Sequence, residues 1–191
     1  GQGVAGGGVH ALAVQGSTVY VGGSFVEAAG QPAGGVARWD GYVWHSMGRV
    51  GGDVHALAAF GEYVFAGGDF TAAGGRDSPH VAMFYSGEWV PLGGGVNGPV
   101  FSLLAVHGCV LMGGAFTEAR NPGSEAGEGL PAPYAVRWCL AQQEFEPIVA
   151  GGGIGPIRAI VPALHTHPAA PETCELQGSC PPAGGPEAPA S

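Results

Sequence analysis

The chain repeats itself. Val9-His10-Ala11-Leu12-Ala13, Val54-His55-Ala56-Leu57-Ala58 and Val100-Phe101-Ser102-Leu103-Leu104 open three copies of one pattern, at spacings of 45 and 46 residues. Each opening leads into an apolar run that ends in Gly-Gly-x-Phe: Gly22-Gly23-Ser24-Phe25, Gly67-Gly68-Asp69-Phe70 and Gly113-Gly114-Ala115-Phe116. Each copy then has a short run centred on an aromatic, at Trp39, Phe84 and Trp138. A pattern that returns at this period must fold as like units, each burying a face that its neighbour leaves open.

Within the first copy, His10 to Val14 alternates weakly, Gln15-Gly16-Ser17 turns, and the β-branched and aromatic run from Thr18 to Val21 reads as a strand. Val26 to Gly35 reads as loop, punctuated by Gly30, Pro32, Gly34 and Gly35. Val36 to Asp40 and Tyr42 to Met47 supply a third and a fourth strand. The other copies follow the same plan, and no long stretch has the 3.6-residue period of a helix. The expected fold is therefore all-β, with a four-stranded antiparallel meander per copy. One such sheet cannot cover both its faces, and radial stacking of sheets solves this. The pattern predicts a partial β-propeller: three four-stranded antiparallel blades near 9–48, 54–93 and 100–150, plus the stub of a fourth that opens at Ile157-Arg158-Ala159-Ile160. Phe25, Phe70 and Phe116 are expected between adjacent blades, and Trp44, Trp89 and Phe145 near the outer strand.

Complete propellers use about four to eight blades, so three and a stub fall short of a ring. The opening Gly1-Gln2-Gly3-Val4 resembles the glycine-rich ends at Gly93-Gly94-Gly95-Val96 and Gly151-Gly152-Gly153-Ile154. This predicts a longer repeat array with further units outside the sequence; association of copies is the other solution. The blades are assigned to residues 1–161. Residues 162–191 form a proline- and alanine-rich tail without apolar periodicity, expected to be largely disordered.

Glycine (38) and proline (16) make up more than a quarter of the 191 residues, and most glycines fall at fixed places in the repeats. They read as turns, bulges and sites of close backbone approach. Charge is sparse, with net −9, no lysine, and six arginines scattered without a run. Nucleic-acid binding draws its affinity from clustered cations, so no nucleic-acid partner is expected. No basic stripe suits a membrane surface, and no apolar stretch approaches the roughly 20 residues of a spanning helix.

The four cysteines carry the only hint of covalent chemistry. Aligning the second and third strands of a copy as a hairpin sets Thr18 opposite Asp40, and the matching residues of the third copy are Cys109 and Cys139. Facing cysteines on antiparallel strands meet the separation a bridge requires, so a Cys109–Cys139 disulfide is predicted, with two buried thiols as the alternative. It would staple the base of a long third-copy loop, Ala119 to Pro133. Cys174 and Cys180 bracket five residues, and a local disulfide is predicted there too. His165 and His167 lie nearby, but zinc calls for tighter pairs and a matching second half. The paired cysteines favour an oxidising compartment.

The histidines form no catalytic signature in the sequence. His10 and His55 share one repeat slot, which Phe101 fills in the third copy; this argues for packing or edge exposure. His45, His80 and His107 are isolated. No nucleophile elbow, phosphate loop or His-Glu-x-x-His occurs, and Asn97 and Asn121 lie outside glycosylation sequons. No catalytic, cofactor-binding or metal-binding residue is assigned, and no cofactor is expected.

The combination Val9–Phe25, Val36–Gly41 and Trp44–Gly48, met three times, resembles the kelch-like propeller repeats of the fungal cortical marker of cell polarity and of related secreted bacterial proteins. The resemblance covers roughly residues 1–160. It implies a non-catalytic module outside the cell or at its surface, used for recognition or scaffolding, with a protein, cell-wall or glycan partner. The shared residues are structural, so no catalytic residue is carried over. Two alternatives remain at this point. One is a fragment of a secreted kelch-type copper oxidase, which needs converging His and Tyr residues; Tyr20, Tyr63, His10 and His55 are its loose candidates. The other is carbohydrate binding through Trp39 and Tyr42.

Overall fold

The structure is a computed structural model, and it describes residues 3–125, 127–148 and 155–161. The chain divides into Gly1–Val161 and Pro162–Ser191. The second part, with the expected tail disorder, lies outside the described residues.

Among the described residues the fold is all-β, with no helix. Each copy forms one antiparallel meander. The first sheet takes Val9–Gln15, Thr18–Gly23, Val36–Trp39 and Trp44–Ser46 in chain order. The second takes Val50–Phe60, Tyr63–Ala73, Val81–Tyr85 and Glu88–Pro91. The third takes Val100–Val106, Cys109–Gly114, Ala135–Cys139 and Glu144–Pro147. Two-residue turns at Ser86-Gly87 (φ 51° and 88°) and His107-Gly108 (φ 48° and 79°) join strands with both residues left-handed, a geometry that matches strand twist.

The glycine- and proline-rich stretch 26–35, expected as loop, is a second hairpin. Glu27–Ala28 pairs with Gln31–Pro32 around Ala29-Gly30, and Val4–Ala5 adds a third strand. The third copy repeats this with Gly95–Val96, Glu118–Arg120 and Leu130–Pro131, inside the expected long loop. In the second copy the small ladder merges into the main sheet, which is why two of its strands reach 11 residues. Strands of two residues are too short to alternate, so periodicity cannot reveal them. Pro32 and Pro131 sit on the outer strand of their ladders, where a missing N–H costs nothing.

Gly-Gly-x-Phe builds the same corner each time. Gly23 N–H donates to Gly35 O at 3.0 Å, and Gly35 N–H donates to Phe25 O at 2.8 Å. Gly68, His80 and Phe70 repeat the pair of bonds at 3.0 and 2.8 Å, and Gly114, Tyr134 and Phe116 at 3.1 and 2.9 Å. The pivot is left-handed in all three, with φ 87° at Gly35, 65° at His80 and 66° at Tyr134. Only the first copy places a glycine where side chains are disfavoured. The three phenylalanines are fully buried. Phe70 lies in a cluster that also holds Val36 and Met47 of the first copy, and Phe116 in one that holds Val81 and Leu92 of the second.

Successive sheets touch along their opening strands. The first glycine of each pair receives the next copy. A Cβ on Gly22 would stand 2.7 Å from Val54 Cγ1 and 3.1 Å from the Leu57 side chain. Gly67 holds Val100 and Leu103 in the same way, and Gly113 holds Ile157 and Ile160. Residues 155–161, expected as the stub of a fourth blade, form no regular strand. Away from these contacts each sheet carries a cross-strand aromatic pair: Trp39–Trp44, Phe84–Trp89 and Trp138–Phe145, with ring centroids 5.5, 5.3 and 4.8 Å apart. The Trp89 indole N–H also donates to Met47 O at 2.6 Å, which ties the second sheet to the first.

Gly67→Ala would set its new methyl 2.5 Å from Val100 Cγ1. Such overpacking costs roughly 1 to 3 kcal/mol. Gly16→Asn, at φ 59° with nothing nearby, should stay within about 0.5 kcal/mol, because asparagine tolerates the left-handed region. Urea midpoints of the two variants test this; equal midpoints would deny the glycine its role in sheet stacking.

Candidate functional site

Every opening strand carries one residue too many. Pairing shifts between Val9↔Gly23 and Ala11↔Gly22, between Val54↔Gly68 and Ala56↔Gly67, and between Val100↔Gly114 and Ser102↔Gly113. The unpaired residues are His10, His55 and Phe101. A bulge re-aims the side chain it leaves over, and these three line up. The rings of His10 and His55 stack with centroids 5.8 Å apart, and those of His55 and Phe101 also lie 5.8 Å apart. Arg158, in the matching slot of the fourth opening, sets its guanidinium carbon 5.4 Å from the Phe101 centroid. The result is one continuous row, His10–His55–Phe101–Arg158, with one member per copy.

The row offers flat π faces, imidazole nitrogens and one fixed cation. Among the described residues no group of three or more His, Cys, Asp or Glu side chains is placed to hold a metal ion. Of the loose oxidase candidates, His10 and His55 are brought together in the row. Tyr63 stacks on Tyr85 at 4.9 Å, and Tyr20 packs against the cluster between the first two sheets. His165 and His167 lie outside the described residues.

A second feature closes the outer end of the first sheet. Asp40 Oδ1 accepts the N–H groups of Tyr42 and Val43, each at 2.8 Å, and Asp40 Oδ2 lies 2.6 Å from His45 Nε2. This turn displays Tyr42, whose side chain and backbone are 87% exposed, beside the Trp39–Trp44 pair. The His45 hydrogen bond, then the Val43 and Tyr42 amides, hold the Asp40 carboxyl well below the usual carboxylate range. The turn is absent from the other two sheets, so the repeat comparison gives no warning of it. The signal was local: Asp-Gly, followed by a histidine within reach.

Cys109 and Cys139 face each other across the second and third strands of the third sheet and form a disulfide, with Cα atoms 4.0 Å apart. Cys174 and Cys180 lie outside the described residues. The long loop above the bridge is also pinned at its start: Asn121 Oδ1 accepts Phe145 N–H at 2.5 Å, and its amide donates to Phe145 O at 3.3 Å. One side chain thereby imitates an extra strand partner.

Two outcomes test these devices. The bridge spans 30 residues, so Cys109→Ser should cost about 3 to 4 kcal/mol, read as a lower denaturation midpoint. For Asp40, a depressed folded-state pKa contributes stability above the unfolded pKa and loses it as the pH falls. Between about pH 4 and pH 2 the melting temperature should therefore fall more steeply for the native chain than for Asp40→Asn; parallel curves would refute the role of the carboxylate.

The sequence matches no protein-family model and no curated protein.

Proposed function

We propose that this chain is a non-catalytic recognition module built on kelch-like β-propeller blades, working outside the cell or at its surface and binding a protein or a cell-wall glycan. The observation that carries the reading is the contrast between frame and slot. Val9, Val54 and Val100 repeat, as do Leu12, Leu57 and Leu103 and the glycine pairs. The bulge slot beside them changes from histidine to phenylalanine, and Arg158 of the fourth opening continues the row. A scaffold that holds its frame and varies an aligned row suits a contact surface better than chemistry on a single bond. Aromatic faces with a cation are the side chains that anchor recognition of proteins and sugars.

The Cys109–Cys139 bridge supports an oxidising environment, where such bonds persist. Among the described residues no helix is long and apolar enough to cross a membrane. Tyr42 and the Trp39–Trp44 pair favour the glycan as partner over a second protein, since an exposed ring on a rigid turn suits stacking against a sugar face.

The test is binding of the purified, oxidised chain to a glycan array and to isolated cell-wall polysaccharide. Phe101→Ala and Tyr42→Ala are compared with the native chain, and each should weaken binding roughly tenfold at its own surface. Silence on every glycan discards the sugar. Stoichiometric copper with oxidase activity in the purified chain would overturn the non-catalytic reading.

A further inference from the structure

The corner where the first sheet meets the second is built differently from the corner where the second meets the third. Val50 N–H donates to Gly34 O at 2.9 Å, and Val96 N–H donates to Pro79 O at 3.2 Å, so the two contacts correspond. At the later corner Pro79 stands on one side and Gly95 on the other; a Cβ on Gly95 would lie 2.3 Å from Pro79 O. At the earlier corner the bulk has changed sides. Gly34, with φ 53°, takes the place of the proline, and Arg49 takes the place of the glycine. A Cβ on Gly34 would lie 2.8 Å from Arg49 Cα and Cγ, so the arginine stem rests on bare backbone.

Beside this contact lies a half-open cleft of about 630 Å³, with walls from two neighbouring copies inside the chain. Phe25, Pro32, Ala33 and Val50 give it an apolar lining, and Ser24, Arg49 and Asp53 add polar groups. Among the described residues neither Arg49 nor Asp53 takes part in an ion pair. Ser24 Oγ accepts Gly8 N–H at 3.0 Å, which leaves its hydroxyl proton to donate.

Asp53 also sits where a carboxylate is costly. It faces Asp69 directly across the first two strands of the second sheet. The corresponding pairs are uncharged: Ser24 N–H donates to Gly8 O in the first sheet, and Ala115 N–H donates to Pro99 O in the third. Like charges directly opposite each other destabilise a sheet. Asp69 has His80 Nδ1 at 3.7 Å, whereas Asp53 has no cation paired with it.

We propose that this cleft binds a small zwitterion, a free α-amino acid with a large apolar side chain. Arg49 and the Ser24 hydroxyl take its carboxylate, Asp53 takes its ammonium group, and the lining of Phe25, Pro32 and Val50 takes its side chain. Apolar walls with a few charged groups, at this volume, are the usual make-up of a small-molecule site. The arriving ammonium offsets the repulsion between Asp53 and Asp69. The apolar floor strengthens both charge contacts by keeping water from one side of them. The site uses neither the row of rings nor Tyr42, and it does not rest on the recognition reading.

Calorimetric titration of the full, oxidised chain with L-phenylalanine, L-leucine, phenylpropionate and phenethylamine tests the proposal. The last two keep the ring of phenylalanine and drop its ammonium and its carboxylate in turn. The amino acids should bind saturably, and phenylpropionate and phenethylamine each roughly tenfold or more weakly than L-phenylalanine. Arg49→Gln should bring L-phenylalanine down to the affinity of phenethylamine, and Asp53→Asn down to that of phenylpropionate. Both side chains are exposed, so far-UV spectra should stay unchanged. Without ligand, Asp53→Asn should melt above the native chain, because one of two facing carboxylates is gone; a lower melting temperature would mark Asp53 as structural and overturn its assignment. No saturable binding of either amino acid, equal binding of L-phenylalanine and its two analogues, or native affinity in either variant overturns the proposal. Phe101→Ala and Tyr42→Ala should bind L-phenylalanine as the native chain does, so failure of this site and failure of glycan recognition are read separately.

Discussion

A residue with no side chain, met by a branched one from the next sheet, is the contact on which this structure depends. Gly22, Gly67 and Gly113 lie mid-sheet, where glycine weakens a strand, and the loss is offset by the close approach it permits. Val54 and Leu57 at Gly22, and Val100 and Leu103 at Gly67, bury nearly all their surface, a gain of about 1.5 to 3 kcal/mol apiece, while Ile157 and Ile160 at Gly113 are half-buried. The bulge belongs to the same arrangement. Valine and leucine stand three apart and both face the preceding sheet, which strict alternation forbids; one extra residue between them restores the facing. That extra residue is His10, His55 or Phe101, so the stacking contact and the row of rings have a single geometric cause.

Toward the outer strands the copies diverge. The first sheet closes its last hairpin with Asp40 and His45, the second carries an Arg76–Glu88 pair, and the third carries Arg137–Glu146 and the disulfide. Exposed ion pairs of this kind contribute little to stability. Packing holds the sheets together at the glycines and the aromatic pairs, and the outer ends are free to differ. The turn that displays Tyr42 is one product of that freedom.

The main meanders were legible in the sequence because their signals repeat: glycine pairs, alternating runs and a recurrent aromatic each mark the same place three times. The Cys109–Cys139 pairing was legible for the same reason, since the first copy supplied the register for the third. The small ladders were not. Glu27–Ala28 and Gln31–Pro32 have composition typical of loops, and they pair because Ala29-Gly30 turns left-handed and Val4–Ala5 lies alongside. The row of stacked rings was half legible. A shared slot for His10, His55 and Phe101 is visible in one dimension, but the bulge that turns them onto a common line depends on pairing with a distant strand. Arg158 joins the row through the docking of Ile157 and Ile160, in the segment whose sequence reads as a fourth opening.

The disulfide has a consequence for how this fold tolerates change. Residues 115–134 leave the third sheet after its second strand and return to its third, and Cys109 and Cys139 lock those two strands together near the end away from that excursion. With the register held covalently, the segment between no longer has to find it. Lengthening a closed loop costs only a slowly rising, logarithmic penalty, and a sheet already clasped is spared the risk of slipping while it is met. The clasp holds the two strands in register beside the one corner of the three that carries an insertion.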